Sequence, residues 1–274
     1  MALVHQRGWS AHARSESPWY FPLRALWDKF ERCETFPTPT QLSALYAARL
    51  AELRGLTPEV ERLSFVAAPA KKTKRRKGHV IALSELYEGQ IVECGQVPTR
   101  LDDWHDFFNA LTFAAFPRAK WTLHRRQYQL LKRRLVPGAQ KLPGARTREQ
   151  DALALFDEGG IALLVEPGSQ SALAAGDFAD AVKGLCRAGK ARAVPFGHAL
   201  AEHLVEGLGC PLGTMHTVAL DFAALALPEL LDRLDLRLAH DLSEPTLFAA
   251  PSPERGLSLE EIGAAMQERP IDPR

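Results

Sequence analysis

DDWHDFFNALTFAAFPRAKWTLHRRQYQLLKRRL, residues 102–135, carries two helical patterns back to back. The first runs from about Asp102 to Phe116, with Asp102 or Asp103 as its cap. Trp104, Phe107, Phe108, Leu111, Ala114 and Ala115 fill one broad arc when each residue is turned by ~100°. The other side holds Ala110, Phe113 and Phe116, and a helix apolar almost all round is a buried one. Pro117 suits the first turn of the second helix, which runs to about Leu135. Its apolar arc is Trp121, Tyr128, Leu131 and Leu135, while Arg118, Arg125 and Lys132 form a separate stripe with Arg126 and Arg133 beside it. The two helices are expected to form a central helical hairpin.

Four polar residues break these greasy surfaces. His105 and Asn109 are an i, i+4 pair on the first helix. His124 falls inside the apolar arc of the second, with Lys120 four residues earlier beside it. Buried polar groups must be hydrogen-bonded, so a lone His of this kind is read as a satisfied core residue. A set of four on adjacent helices is also a candidate site, because perturbed groups gather at sites. Lys120 weighs against that reading if its stem snorkels to water.

Working outward, Leu23–Glu34 and Thr40–Leu53 have helical spacing, separated by Pro37 and Pro39. Leu83–Cys94 reads as a helix ending at Gly95 in the C′ position, and Val97–Arg100 as an extended connector. Leu153–Phe156 and Ile161–Val165 flank Asp157-Glu158-Gly159-Gly160, which reads as a β-hairpin. Phe178–Arg187, Gly197–Leu208 and Pro228–Ala239 are further helices. The fold class is α+β, mostly helical, with a small antiparallel sheet. The expected organisation is a disordered segment 1–20, a helical region 21–78 ending in a basic loop, a core domain 79–240 and a Pro-rich tail 241–274.

The chain has 274 residues, 46% of them hydrophobic and 24% charged, a composition that excludes wholesale disorder. Its four cysteines form no CxxC pair, so neither a disulfide frame nor a zinc ribbon is expected. No secretory signal or spanning stretch is seen, which predicts no membrane association and, by elimination, a cytoplasmic protein. The P-loop, HExxH, GxSxG and strand-linked GxGxxG templates are absent. A net charge of +1 hides an asymmetry. Residues 107–148 hold ten Lys or Arg and no Asp or Glu, and Lys71–Lys77 adds six more. Such runs are usually solvated surface, but on one face they attract polyanions.

Asp151, Asp157 and Glu158 are further polar candidates. Turn chemistry accounts for Glu158, while Asp157 is left open as a ligand for a hard cation such as Mg²⁺. His198 opens a helix, where the dipole disfavours its charged form, so a neutral base or ligand is one reading. Its i, i+4 neighbour Glu202 makes a local surface pair the other.

Several motifs occur in an ordered run. They are Tyr87-Glu88-x-x-Ile91, Gly95-x-Val97-Pro98-Thr99-Arg100, His105-Asp106-x-Phe108-Asn109-Ala110-Leu111 and Phe116-Pro117-Arg118-x-Lys120. Asp151-Ala152-Leu153, Phe156-Asp157-Glu158-x-Gly160 and Phe196-Gly197-His198-Ala199-Leu200 continue the series. Over residues 80–220 the chain resembles a bacterial family of uncharacterised proteins, domain of unknown function 3025. The resemblance implies no activity. One departure is His124, where the family would show Asn.

Three functions compete. In the first, a hydrolase-like enzyme acts on a phosphate-bearing or otherwise anionic substrate. His105 is then the general base oriented by Asn109, with Asp151 and His198 as further catalytic groups. Arg100, Lys120 and His124 bind the substrate, and a divalent metal such as Mg²⁺ is the cofactor class admitted. In the second, Arg118, Arg125, Arg126, Lys132 and Arg133 hold nucleic acid or another polyanion without catalysis. In the third, His105 and Asn109 are core hydrogen-bonders of a structural protein. Convergence of His105, Lys120, Asp151, Asp157 and His198 on one cleft is the geometric discriminator.

Overall fold

The computed structural model describes residues 8–69, 78–142, 144–174, 176–209, 211–252 and 256–266. The basic run Lys71–Lys77 lies outside the described residues. Three helices, α1 (Arg24–Trp27), α2 (Pro39–Leu50) and α3 (Pro58–Glu61), precede strand β1 (Ser64–Ala67). Then come α4 (Tyr87–Cys94), β2 (Gln96–Thr99), α5 (Trp104–Ala115), α6 (Pro117–Arg134), α7 (Arg148–Gly159) and β3 (Gly160–Val165). The chain continues through α8 (Phe178–Arg187), β4 (Ala191–Pro195), α9 (His198–Glu206), β5 (Thr214–Ala219), α10 (Leu227–Ser243) and α11 (Leu259–Met266). The protein is α+β and mostly helical, and among the described residues no helix is long and apolar enough to cross a membrane.

Helix α5 is the hub. Asp103 caps it by accepting from the Asp106 N–H at 3.0 Å, and ten of its twelve residues are buried. An aromatic cluster closes around its first turns: Trp9 stacks on Trp104 at 5.2 Å between centroids, and Trp27 meets Phe108 edge-on at 5.2 Å. Of the segment 1–20 read as disordered, residues 1–7 lie outside the described residues. From Gly8 onward the chain packs on this hub, with Ala13 and Tyr20 buried.

Pro117 opens α6 directly after α5. Helix α10 packs along α6, and two arginines fasten its ends. Asp235 of α10 accepts from the N–H groups of Arg118 and Ala119 at 3.2 and 2.8 Å, so it satisfies the orphan donors of the α6 N-terminus. Arg118 also binds Asp235 and Asp232 at 3.0 and 2.9 Å. Burial pushes the Asp235 carboxyl up to about 6, against the pull of these donors. Two turns on, Arg126 reaches the carbonyls of Leu242, Glu244, Pro245 and Leu247 at the end of α10, and the carboxylate of Glu149.

The hairpin expected at residues 153–165 is not formed. Leu153–Phe156 lies inside α7, because Thr147 and Gln150 make a reciprocal capping box that starts a helix there. A four-residue apolar run is ambiguous by periodicity alone, and the cap decides it. Nor is the small sheet purely antiparallel. The order is β4-β3-β5, with β3 antiparallel to β4 but parallel to β5, which is reached by a crossover through α9. A second pair, β1 and β2, is parallel. Successive β3 side chains face two cores, Ala162 and Leu164 the main one, Ile161, Leu163 and Val165 a smaller one with α8 and α11. Gly95 takes φ 70° at the end of α4, as the C′ reading requires.

Glycines set the junction that matters most for the site. A Cβ at Gly160 would lie 2.2 Å from the Phe156 carbonyl oxygen, and one at Gly197 would lie 2.4 Å from the Glu158 oxygen and the Gly160 nitrogen. The start of α9 therefore rests on the backbone at the end of α7.

Candidate functional site

That contact brings His198 to the last turn of α7, where its Nδ1 lies 2.9 Å from the Asp157 carbonyl oxygen. Its Nε2 lies 3.0 Å from the Nε2 of His105, which α5 supplies from its first turn. The rings meet edge-on at 4.4 Å. The Nδ1 of His105 is 2.8 Å from Glu202, one turn into α9. Glu158 stands at the open side, 3.4 Å from His198 Nε2 and 3.8 Å from His105 Nε2. Both Nδ1 atoms thus face acceptors, and the two Nε2 atoms face each other at hydrogen-bonding distance with Glu158 beside them.

The two rings differ in basicity. Burial works against charge on His105, but the hydrogen bond to Glu202 and the field of Glu158 outweigh it and raise its pKa. His198 is held well below the ordinary His range by burial and by the nearby charge of Lys120.

Beneath this pair lies a second layer. Lys120 is wholly buried and donates to Asn109 Oδ1 at 2.8 Å and to the carboxylate of Asp157. The Asn109 amide donates onward to the Tyr87 hydroxyl at 3.0 Å. Burial opposes the charge of Asp157, but Lys120 first, then His124 and His198, hold its carboxyl well below the usual range. The side chain of His124 stacks on Phe113 and binds Glu88 through Nδ1 at 2.9 Å. Its buried Nε2 has no hydrogen-bond partner and lies 3.9 Å from Asp157.

Tyr87, Glu88, His124, Asp157 and Glu158 line, with Gln127, Arg146 and Asp151, a cleft of about 540 Å³, whose lining does not include His105, Lys120 or His198. Of the sequence-derived set, His105, Asn109, Lys120, His124, Asp157 and His198 come together, and Asp151 stands on the cleft wall. Arg100 does not join them: its guanidinium is taken by Asp103 and Asp106. The five basic residues of the polyanion reading divide. Arg118 and Arg126 are buried in the contacts to α10, while Arg125, Lys132 and Arg133 are exposed.

Sequence reasoning gave Glu158 to a turn and Glu202 to a local pair with His198, and gave no site role to Tyr87, Glu88, Gln127 or Arg146. Glu202 was paired with His198 by helical spacing, but it turns instead to His105, 97 residues away in sequence. The adjacent Asp157-Glu158 was the available signal for Glu158. At the end of a helix the two side chains point apart, one to Lys120 and one to the imidazoles.

No curated protein and no solved structure matches the chain. A family model described as "Protein of unknown function (DUF3025)" matches residues 76–267, which include the whole cluster from Tyr87 to Glu202. The chain belongs to this DUF3025 family.

Proposed function

We propose that the protein is a hydrolase-like enzyme acting on a phosphate-bearing or otherwise anionic small molecule held in the cleft. The observation that supports this reading is the convergence of buried polar groups from α4, α5, α6, α7 and α9 with nitrogen atoms left over. His105 and His198 spend their Nδ1 atoms on acceptors and keep Nε2 for other work. His124 borders the cleft and has a buried Nε2 without a hydrogen-bond partner.

His105 is the more basic ring and acts as the general base, with Glu202 fixing its tautomer and orientation. Its side chain is 25% exposed, so water reaches it. Asn109, Lys120 and Asp157 are positioning residues, since the Asp157 backbone holds His198 while its side chain anchors Lys120. Arg146 and His124 contact the substrate. The test is hydrolysis of a panel of phosphoesters and related anionic substrates by the purified chain. Turnover is expected and His105→Ala removes it while melting stays close to wild type. A His105→Ala variant with unaltered turnover overturns the reading.

A further inference from the structure

We infer that His105, His198 and Glu158 are the protein ligands of a divalent first-row transition-metal ion, one per chain. This goes beyond the hydrolytic reading and is independent of it: an Nε2 that binds the ion is not free to take a proton, so in the ion-bound chain His105 is a ligand, and its general-base role belongs to the ion-free chain. The three donor atoms lie within 4.8 Å of one another. Two imidazole nitrogens about 2.0–2.1 Å from one zinc ion at a tetrahedral angle stand roughly 3.3 Å apart. The Nε2 atoms here are 3.0 Å apart, and Glu158 is 3.4 and 3.8 Å from them. Two ring nitrogens at this separation share either a proton or a cation, and a cation also engages the carboxylate as a third donor.

The outer contacts match the same assignment. A ligating His donates its other ring N–H to a carboxylate or a main-chain carbonyl, which fixes the tautomer and strengthens the ligand. His105 has Glu202 for this and His198 has the Asp157 carbonyl. The charges match too. Among the described residues, the groups ion-paired to Glu158 and Glu202 are imidazoles, so two carboxylates await a double positive charge. The cleft wall beyond adds Glu88 and Asp151 against the single guanidinium of Arg146. Two nitrogens and one oxygen suit Zn²⁺, Mn²⁺ or Fe²⁺ rather than Mg²⁺, which prefers oxygen alone. Asp157, the carboxylate singled out from sequence, is committed to Lys120, and its neighbour takes the role.

The full-length chain, stripped with chelator, is titrated with Zn²⁺ by calorimetry and with Co²⁺ by visible absorption. One ion per chain and a raised melting temperature are expected. The double variant H105A/H198A loses stoichiometric uptake. Glu202→Gln keeps the stoichiometry and weakens affinity about 10–100-fold, as loss of an outer contact does. Should the double variant fail to fold, Glu158→Gln, whose wild-type side chain is 50% exposed, weakens Zn²⁺ binding and blue-shifts or removes the Co²⁺ bands. No uptake by the folded wild type, or uptake unchanged in the ligand variants, overturns the assignment. Binding without turnover on any substrate upholds the metal site and sinks the hydrolytic reading. Turnover that persists in a chain binding no ion does the reverse.

Discussion

Arg118 and Lys120 stand two residues apart on α6, both buried and both paired with a buried aspartate, yet they belong to different kinds of region. Arg118 meets Asp235 and Asp232 across a helix interface, and the same Asp235 caps the N-terminus of α6. Lys120 meets Asp157 and Asn109 beneath two histidines and beside a cleft. The carboxyls respond in opposite directions: Asp235 is pushed up by burial, while Lys120 helps hold Asp157 down despite it. Buried charge alone therefore marks nothing. What separates the regions is what surrounds each pair. Asp235 lies between two helix ends, whereas beside Asp157 two ring nitrogens face one another and a third imidazole borders a cleft.

The contrast breaks most sharply under substitution of the two cations. Arg118→Met leaves Asp235 without its charge partner and is expected to cost about 3–5 kcal/mol in denaturant unfolding. Lys120→Met leaves Asp157 in the same position and costs about 3 kcal/mol, but it also disturbs His198 and lowers turnover and metal affinity. If Arg118→Met impaired metal binding as much as Lys120→Met at matched stability, the division between the regions would fail.

A smaller effect lies in pH. Asp235 has a folded pKa of about 6 against an ordinary 3.8, so the folded chain binds its proton more tightly than the unfolded one. The stability from that proton is present below pH 4 and lost as the pH rises to 6, a change of about 2–3 kcal/mol by linkage. Asp235→Asn removes this slope from unfolding free energies measured between pH 4 and 6. Next in size, His105→Ala lies at a partly exposed position and changes unfolding free energy by about 1 kcal/mol or less while abolishing turnover. Smallest of all, Arg125→Gln and Arg133→Gln, both exposed, stay within about 0.5 kcal/mol of wild type. Salt-dependent nucleic-acid binding by the wild type, lost in that pair, would revive the polyanion reading.

Legibility in the sequence followed range. Helices with their own signals were readable: the Asp103 cap, Pro117 at the start of α6 and Gly95 at the end of α4 each act within a turn. The pairs His105/Asn109 and Lys120/His124 were readable for the same reason, since helical spacing places them together. The capping box at Thr147 was equally local, but a short apolar run followed by two glycines mimicked a hairpin. The tertiary demand there, the approach of α9 to α7, falls on Gly197, whose Cβ would meet the Glu158 oxygen and the Gly160 nitrogen, and no local pattern records it. Strand β5 and the partners of His105 were hidden likewise, because register and long-range carboxylates depend on a crossover of some fifty residues.

Gly197, where it meets Gly160, also decides how the pocket can breathe. With main chain riding on main chain at residues 197 and 160, there is no slack for a hinge between α7 and α9, and the imidazole of His198 is set as firmly as the sheet behind it. Any opening that admits a ligand must come from the opposite bank, where Tyr87 and Glu88 sit on the first turn of a short helix, so exchange of amide hydrogens should be fast there and slow at the seam.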